Sequence, residues 1–122
     1  MSQRDRIQTT SGTITIASGD TTASTSVYLN GLVRAIYVNI PEMTGTTVTF
    51  TLTGATSDFV LFNNGSTPLN AGQVTVIVTD PAVSQALQVP VDGICTITLT
   101  SNGTEAADRA ISFSLLVDRG TM

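Results

Sequence analysis

Apolar and hydroxyl-bearing side chains alternate along most of the chain with a period of two residues. A period of two places successive side chains on opposite faces of a β-strand, so each such segment predicts a strand with an apolar core face and a hydroxyl-bearing outer face. Five segments show the alternation, with core-face positions Ile14 and Ile16; Val48, Phe50 and Leu52; Val74, Val76 and Val78; Cys95, Ile97 and Leu99; and Ile111, Phe113, Leu115 and Val117.

Shorter apolar runs at 27–29 and 59–62 and a long one at 32–40 bring the prediction to about eight strands. Asn30-Gly31 has the composition and spacing of a two-residue hairpin turn. Other turns or breaks in pairing are expected at Ser18-Gly19-Asp20, Asn63-Asn64-Gly65, Asp92-Gly93, Asn102-Gly103, Pro41, Pro68, Pro81 and Pro90. The sequence therefore predicts an all-β, antiparallel β-sandwich of jelly-roll type, with an N-terminal arm at 1–11 and one domain at 12–122.

The segment 32–40 is apolar on both faces, which the alternating strands are not. One parity carries Leu32, Ile36, Val38 and Ile40, and the other carries Val33, Ala35 and Tyr37. Either a β-bulge reverses the parity midway, or a terminal segment covers the second face, or Val33, Ala35 and Tyr37 contact a partner subunit. Ile77 and Leu116 lie on the hydroxyl face of their strands and would extend such an interface.

Charge is scarce and limits the kinds of partner. Charged residues make up 11% of the chain, the net charge is −4, and all five basic residues are arginines scattered along the sequence. Because no basic stripe exists to neutralise phosphates or anionic lipid, neither nucleic acid nor a membrane is expected as a partner. The polar N-terminus predicts neither a signal peptide nor a membrane span.

The sequence contains few of the residue types that usually act in catalysis. The chain lacks histidine, the commonest general base and metal ligand, and its single Cys95 has the parity of a core residue. The sequence does not exclude a glycosidase-like pair of catalytic carboxylates. Such a site also needs aromatic residues that stack on sugars, and aromatic residues are only 5% of the chain. No Asp-x-Asp-x-Asp-Gly calcium loop and no glycine-rich phosphate loop occur. We therefore expect no enzymatic activity and no cofactor.

The N-terminal arm holds the one cluster of charges. Arg4, Asp5 and Arg6 precede Ile7, and the two guanidinium groups can donate to carboxylates or carbonyl groups across an interface. Holding such an arm fixed costs backbone entropy that its own sandwich would not offset. The arm Met1–Gln8 is therefore expected to dock on a neighbouring subunit, although an ordinary frayed terminus is the alternative.

The strand rhythm, the hydroxyl-rich composition and the size resemble a known class of virion protein. The resemblance is to the small β-sandwich cement or decoration proteins of tailed-bacteriophage capsids. It rests on the segments 12–17, 27–38, 93–99 and 111–117. The resemblance implies a structural protein on the capsid exterior, assembled in the host cytoplasm. It further implies the major capsid protein as partner and a homo-oligomeric state. The alternative is a glycan- or receptor-binding β-sandwich module of a phage tail or bacterial surface.

Overall fold

The computed structural model describes residues 7–54, 60–64, 68–80 and 85–120. Within these ranges the chain forms strands and connecting turns, and every pairing of strands is antiparallel. The strands are β1 (Ile7–Ile16), β2 (Thr22–Asn39), β3 (Thr47–Thr53), β4 (Val60–Asn63), β5 (Leu69–Asn70), β6 (Val74–Ile77), β7 (Thr79–Asp80), β8 (Gln85–Ala86), β9 (Val89–Ser101) and β10 (Arg109–Asp118).

The strands build an all-β sandwich with the strand order of a jelly roll, which confirms the predicted fold class. One layer has the order β1-β10-β2-β6, and the other has the order β2-β9-β3-β4, with β5 also paired to β3. Strand β2 belongs to both layers. Its residues Thr22 to Val33 pair with β9, whereas Leu32 to Asn39 pair with β10, and the last four of these also pair with β6.

The predicted hairpin at Asn30-Gly31 is wrong, because these residues lie inside the continuous strand β2. Gly31 has a φ of 132°, and a Cβ at this position would overlap the backbone oxygen of Asp118. The glycine therefore lets β2 cross from one layer to the other while β10 passes close by. The predicted turn at Asp92-Gly93 and the break at Pro90 are also wrong, since both lie within β9, where Asp92 is opposite Asn30.

A β-bulge explains the two apolar faces of the segment 32–40. In the ladder between β2 and β10, Val33 is opposite Val117 and Ala35 is opposite Leu116, so Arg34 is the extra residue. Before the bulge the inward side chains include Leu29 and Val33, and after it they are Ile36, Val38 and Ile40. Ala35 is opposite Leu116 and therefore lies on the outer side of the layer. The sequence left this explanation open, and the structure selects it.

A single hydrophobic core fills the space between the layers. The predicted core faces of β1, β3, β9 and β10 are confirmed, including Cys95, whose side chain is 1% exposed. Strand β6 is the exception. Its valines point to solvent and Ile77 points inward, because the pairing with β2 places Ile77 opposite the buried Ile36.

Strand β1 begins earlier than the alternation predicted. Ile7 is opposite Asp118 and Ser11 is opposite Ser114, so residues 7–11 extend the ladder with β10. The predicted boundary of the arm at residue 11 is therefore wrong for these five positions. Hydrogen bonding to β10 orders them, although their side chains are too polar to signal a core face.

Candidate functional site

The outer face of the layer β1-β10-β2-β6 combines an exposed aromatic side chain with neutral polar groups. Two rows of directly opposed residues cross it. One row is Ser11, Ser114, Tyr37 and Val76, and the other is Thr13, Ser112, Asn39 and Val74. These eight residues are called the Tyr37 face.

Tyr37 is the central feature of the Tyr37 face, with 43% of its surface exposed. Beside it lies a shallow depression of about 100 Å³, lined in part by Asn39, Val74, Ser112 and Ser114. The ring thus stands next to one amide, two hydroxyl groups and an exposed valine. None of the eight residues of the face is charged, so the face suits a neutral partner surface.

The opposite layer presents a different surface, made mainly of threonine and serine. Ser24 and Thr98 share a hydroxyl hydrogen bond of 2.9 Å, and Thr22 and Thr100 share one of 3.2 Å. Tyr28 and Ile94 lie opposite each other at one end of this surface and are 66% and 62% exposed. Many of its hydroxyl groups are therefore satisfied within the chain, as expected for a solvated strand face.

A buried carboxylate joins the turns at one end of the sandwich. Glu105, in the connection between β9 and β10, is 1% exposed. Its two oxygens accept hydrogen bonds from the backbone N–H groups of Thr44 and Gly45, from the Ser101 hydroxyl and from Nε of Arg109, at 2.8 to 3.0 Å. Burial raises the pKa of this carboxyl, but the four hydrogen bonds outweigh burial and lower the pKa from 4.5 to about 2.

The contacts around Glu105 extend to the turn between β1 and β2. The Gly19 N–H donates to the Glu105 carbonyl oxygen at 2.8 Å, and the Glu105 N–H donates to the Asp20 carbonyl oxygen at 3.1 Å. Gly45 is required because a Cβ there would overlap the Ser101 hydroxyl oxygen. Since every acceptor site of the carboxylate is used internally, this cluster is a structural tie between three connections and not an open binding site.

The structure separates the residues that the sequence grouped as a candidate interface. Arg4, Asp5 and Arg6 lie outside the described residues. Tyr37 is exposed and Ile7 is 39% exposed. The placement is wrong for Val33 and Ile77, which are buried in the chain's own core. Ala35, 5% exposed, and the half-buried Leu116 are opposite each other on the outer side of the layer.

Val74 and Val76 belong to the exposed Tyr37 face, whereas the alternation in the sequence predicts them on the core face. A signal was present in Gln73–Thr79, where Ile77 breaks the valine-threonine alternation and competes for the core. Whether the valines or Ile77 enter the core is decided by the pairing of β6 with β2, which the local sequence does not show.

In the described part of the chain no three side chains of His, Cys, Asp or Glu come together in a way that could hold a metal ion. Among the same residues there is no helix of the length and hydropathy that crossing a bilayer requires.

Comparison with known proteins gives similarity at the level of structure alone. A carbohydrate-binding module of family CBM36, in complex with calcium and xylotriose, has a TM-score of 0.44 and 14% identity, covering 88% of this chain and 87% of its own. The Yersinia pseudotuberculosis-derived mitogen has a TM-score of 0.39 and 13% identity, covering 95% and 89%. Neither a family model nor a curated protein sequence matches the chain.

Proposed function

We propose that the chain is a non-catalytic structural protein that decorates the exterior of a virus capsid and binds the major capsid protein through the Tyr37 face. The observation that carries this proposal is the exposed Tyr37, directly opposite the exposed Val76, on a sheet face free of charge. Cores of protein–protein interfaces are enriched in aromatic residues and depleted in charged ones, and this face has that composition.

The shape of the face supports a protein partner over a small ligand. The depression beside Tyr37 holds about 100 Å³, whereas pockets for small molecules usually enclose about 300 to 1,000 Å³. A flat, rigid sheet face can instead lie against another flat surface. Many copies of the chain would bind one shell, and their combined avidity means that a modest affinity of each copy for the major capsid protein suffices.

Co-sedimentation with expanded shells of the virus that carries this gene tests the proposal. Tyr37→Ser should weaken shell binding at least tenfold, because truncating an interface aromatic commonly costs about 2 kcal/mol or more. Tyr28→Ser is the matched control, since Tyr28 is an exposed tyrosine on the opposite layer. Absence of binding to shells, or equal loss in both variants, would overturn the proposed role of the Tyr37 face.

Glycan binding is the second candidate, and one observation favours it. The Tyr37 ring borders a depression that also contains the Asn39 amide and the hydroxyl-bearing Ser112 and Ser114, a combination that could stack on a sugar ring and bond its hydroxyl groups. Titration with neutral oligosaccharides, followed by NMR, separates the two candidates. Shifts confined to Tyr37, Asn39 and Ser112 would support a glycan site, and their absence would leave the protein partner.

A further inference from the structure

Strand β6 exposes an uninterrupted apolar ladder at the edge of its layer. Val74, Val76 and the following Val78 are 66%, 46% and 54% exposed. Isolated exposed apolar residues are ordinary, but Val74 and Val76 in β6 and Val78 directly after it form a continuous stripe. The stripe adjoins Tyr37, which is directly opposite Val76.

The backbone of β6 is open along the same edge. The Ile40 N–H donates to the Gln73 carbonyl oxygen at 3.0 Å, just beyond the pairs Val38–Thr75 and Ile36–Ile77. Hydrogen-bonded pairs alternate with non-bonded pairs in an antiparallel ladder, so the backbone groups of Thr75 and Ile77 point toward β2. Those of Val74 and Val76 point to the opposite side, where no strand of the described residues pairs with β6.

Natural sheets usually protect such an edge with lysine, proline or a bulge. Gln73–Thr79 contains no charged residue and no proline, and four of its seven residues are valine or isoleucine. A groove of about 290 Å³ also follows this edge, lined by the consecutive residues 75–79 together with Asn64 and Leu69. The edge therefore offers backbone pairing and an apolar surface to one more strand.

We propose that β6 pairs antiparallel with β6 of a second copy of this chain, forming a closed two-fold dimer. A strand that is uncharged, β-branched and open on one edge is complementary to itself, because valine meets valine and backbone groups meet their counterparts. No charge opposes the approach of the two strands. The dimer joins two β1-β10-β2-β6 layers into one continuous sheet, and it requires only the purified chain, so its test is independent of the proposed capsid role.

Molar mass in solution, measured by light scattering over a range of concentrations, tests the pairing. The wild-type chain should reach twice its 12.7 kDa mass, whereas Val76→Pro and Val76→Lys should stay monomeric. Proline removes an N–H that points away from β2, so the fold keeps its internal ladder. Thr15→Lys, at an exposed position outside the Tyr37 face on the strand at the opposite edge of the same layer, is the matched control and should still dimerise.

Amide hydrogen exchange tests the geometry directly. In the dimer the amides of Val74 and Val76 should be protected, and in Val76→Lys the Val74 amide should exchange freely while Thr75 and Ile77 stay protected. A wild-type chain that is monomeric at millimolar concentration would overturn the proposal, as would a dimer that survives both Val76 substitutions. Rapid exchange of Val74 and Val76 in a wild-type dimer, or pairing of this edge with an unrelated peptide only, would overturn it equally.

Discussion

The Glu105 carboxylate and the Arg109 guanidinium form an ion pair in which Nε lies 3.0 Å from Oε1. The carboxylate is fully buried, while the arginine side chain is 25% exposed. Nη2 of Arg109 also donates to the Thr44 hydroxyl at 3.2 Å. The pair therefore connects the β9–β10 turn to the connection between β2 and β3, and its strength depends on an ionised Glu105.

Stability should fall in acid because of this carboxylate. The folded pKa is depressed from 4.5 to about 2, so the stabilisation is complete above pH 4.5 and is lost as the pH falls towards 2. A shift of this size corresponds to about 3 kcal/mol. Urea denaturation between pH 7 and pH 2 should show that loss in the wild type and a much flatter dependence in Glu105→Gln. Glu42→Gln, at an exposed position, should retain the wild-type dependence.

Gly31→Ala should destabilise the sandwich far more than Gly19→Ala. Both glycines have positive φ, of 132° and 89°, but only at Gly31 would a Cβ overlap another segment, the backbone at Asp118 and Arg119. The cost at Gly19 should be about 1 kcal/mol, from the backbone conformation alone, and at Gly31 about 3 kcal/mol or more. Equal shifts in the thermal unfolding of the two variants would contradict a close crossing of β2 and β10.

The Cys95 thiol should not react with thiol reagents in the folded protein. It is buried, and burial raises the pKa of the thiol, which disfavours the reactive thiolate. Modification by a chromogenic disulfide should therefore proceed only as fast as the protein opens. Ile94→Cys in a Cys95→Ala background, at a neighbouring exposed position, should react at once. Comparable rates at the two positions would show that the core admits the reagent.

Val33→Ala and Tyr37→Ser should separate a core position from a surface position on the same strand. Val33 is fully buried and Tyr37 is 43% exposed. Removing the Val33 methyl groups should cost about 2 kcal/mol, whereas Tyr37→Ser should stay within about 1 kcal/mol of the wild type. Chemical denaturation at a chain concentration low enough to keep the protein monomeric measures both. A larger loss for Tyr37→Ser would place its ring in the core.

The sequence predicts correctly those strands in which apolar and polar residues alternate without interruption. Val48, Phe50 and Leu52 in β3 and Ile111 to Val117 in β10 are examples, because alternation alone places them in the core. The crossing at Gly31 was mistaken for a turn because the same conformational freedom serves both a hairpin and a sharp bend within a strand. Parity in β6 depended on pairing with Ile36, a contact across 41 residues that no local pattern encodes.

The role of Glu105 had no local signal for a similar reason. Two of its donors, Thr44 and Gly45, lie about 60 residues earlier in the chain, so the sequence displays an ordinary acidic residue near a turn. Tyr37 was recognised as a surface aromatic, but Val74 and Val76 were not placed beside it. Neighbours on a sheet face come from strand order, and strand order follows from long-range pairing.

Strand β2 has a mechanical consequence because one covalent backbone runs through both layers. It is held by β9 along its first part and by β10 and β6 along its last part. A pull applied to one layer therefore reaches the other through peptide bonds, and not only through side-chain packing. Neither layer can peel away without breaking a hydrogen-bond ladder of β2, so the domain should resist a rising load and then yield in a single step.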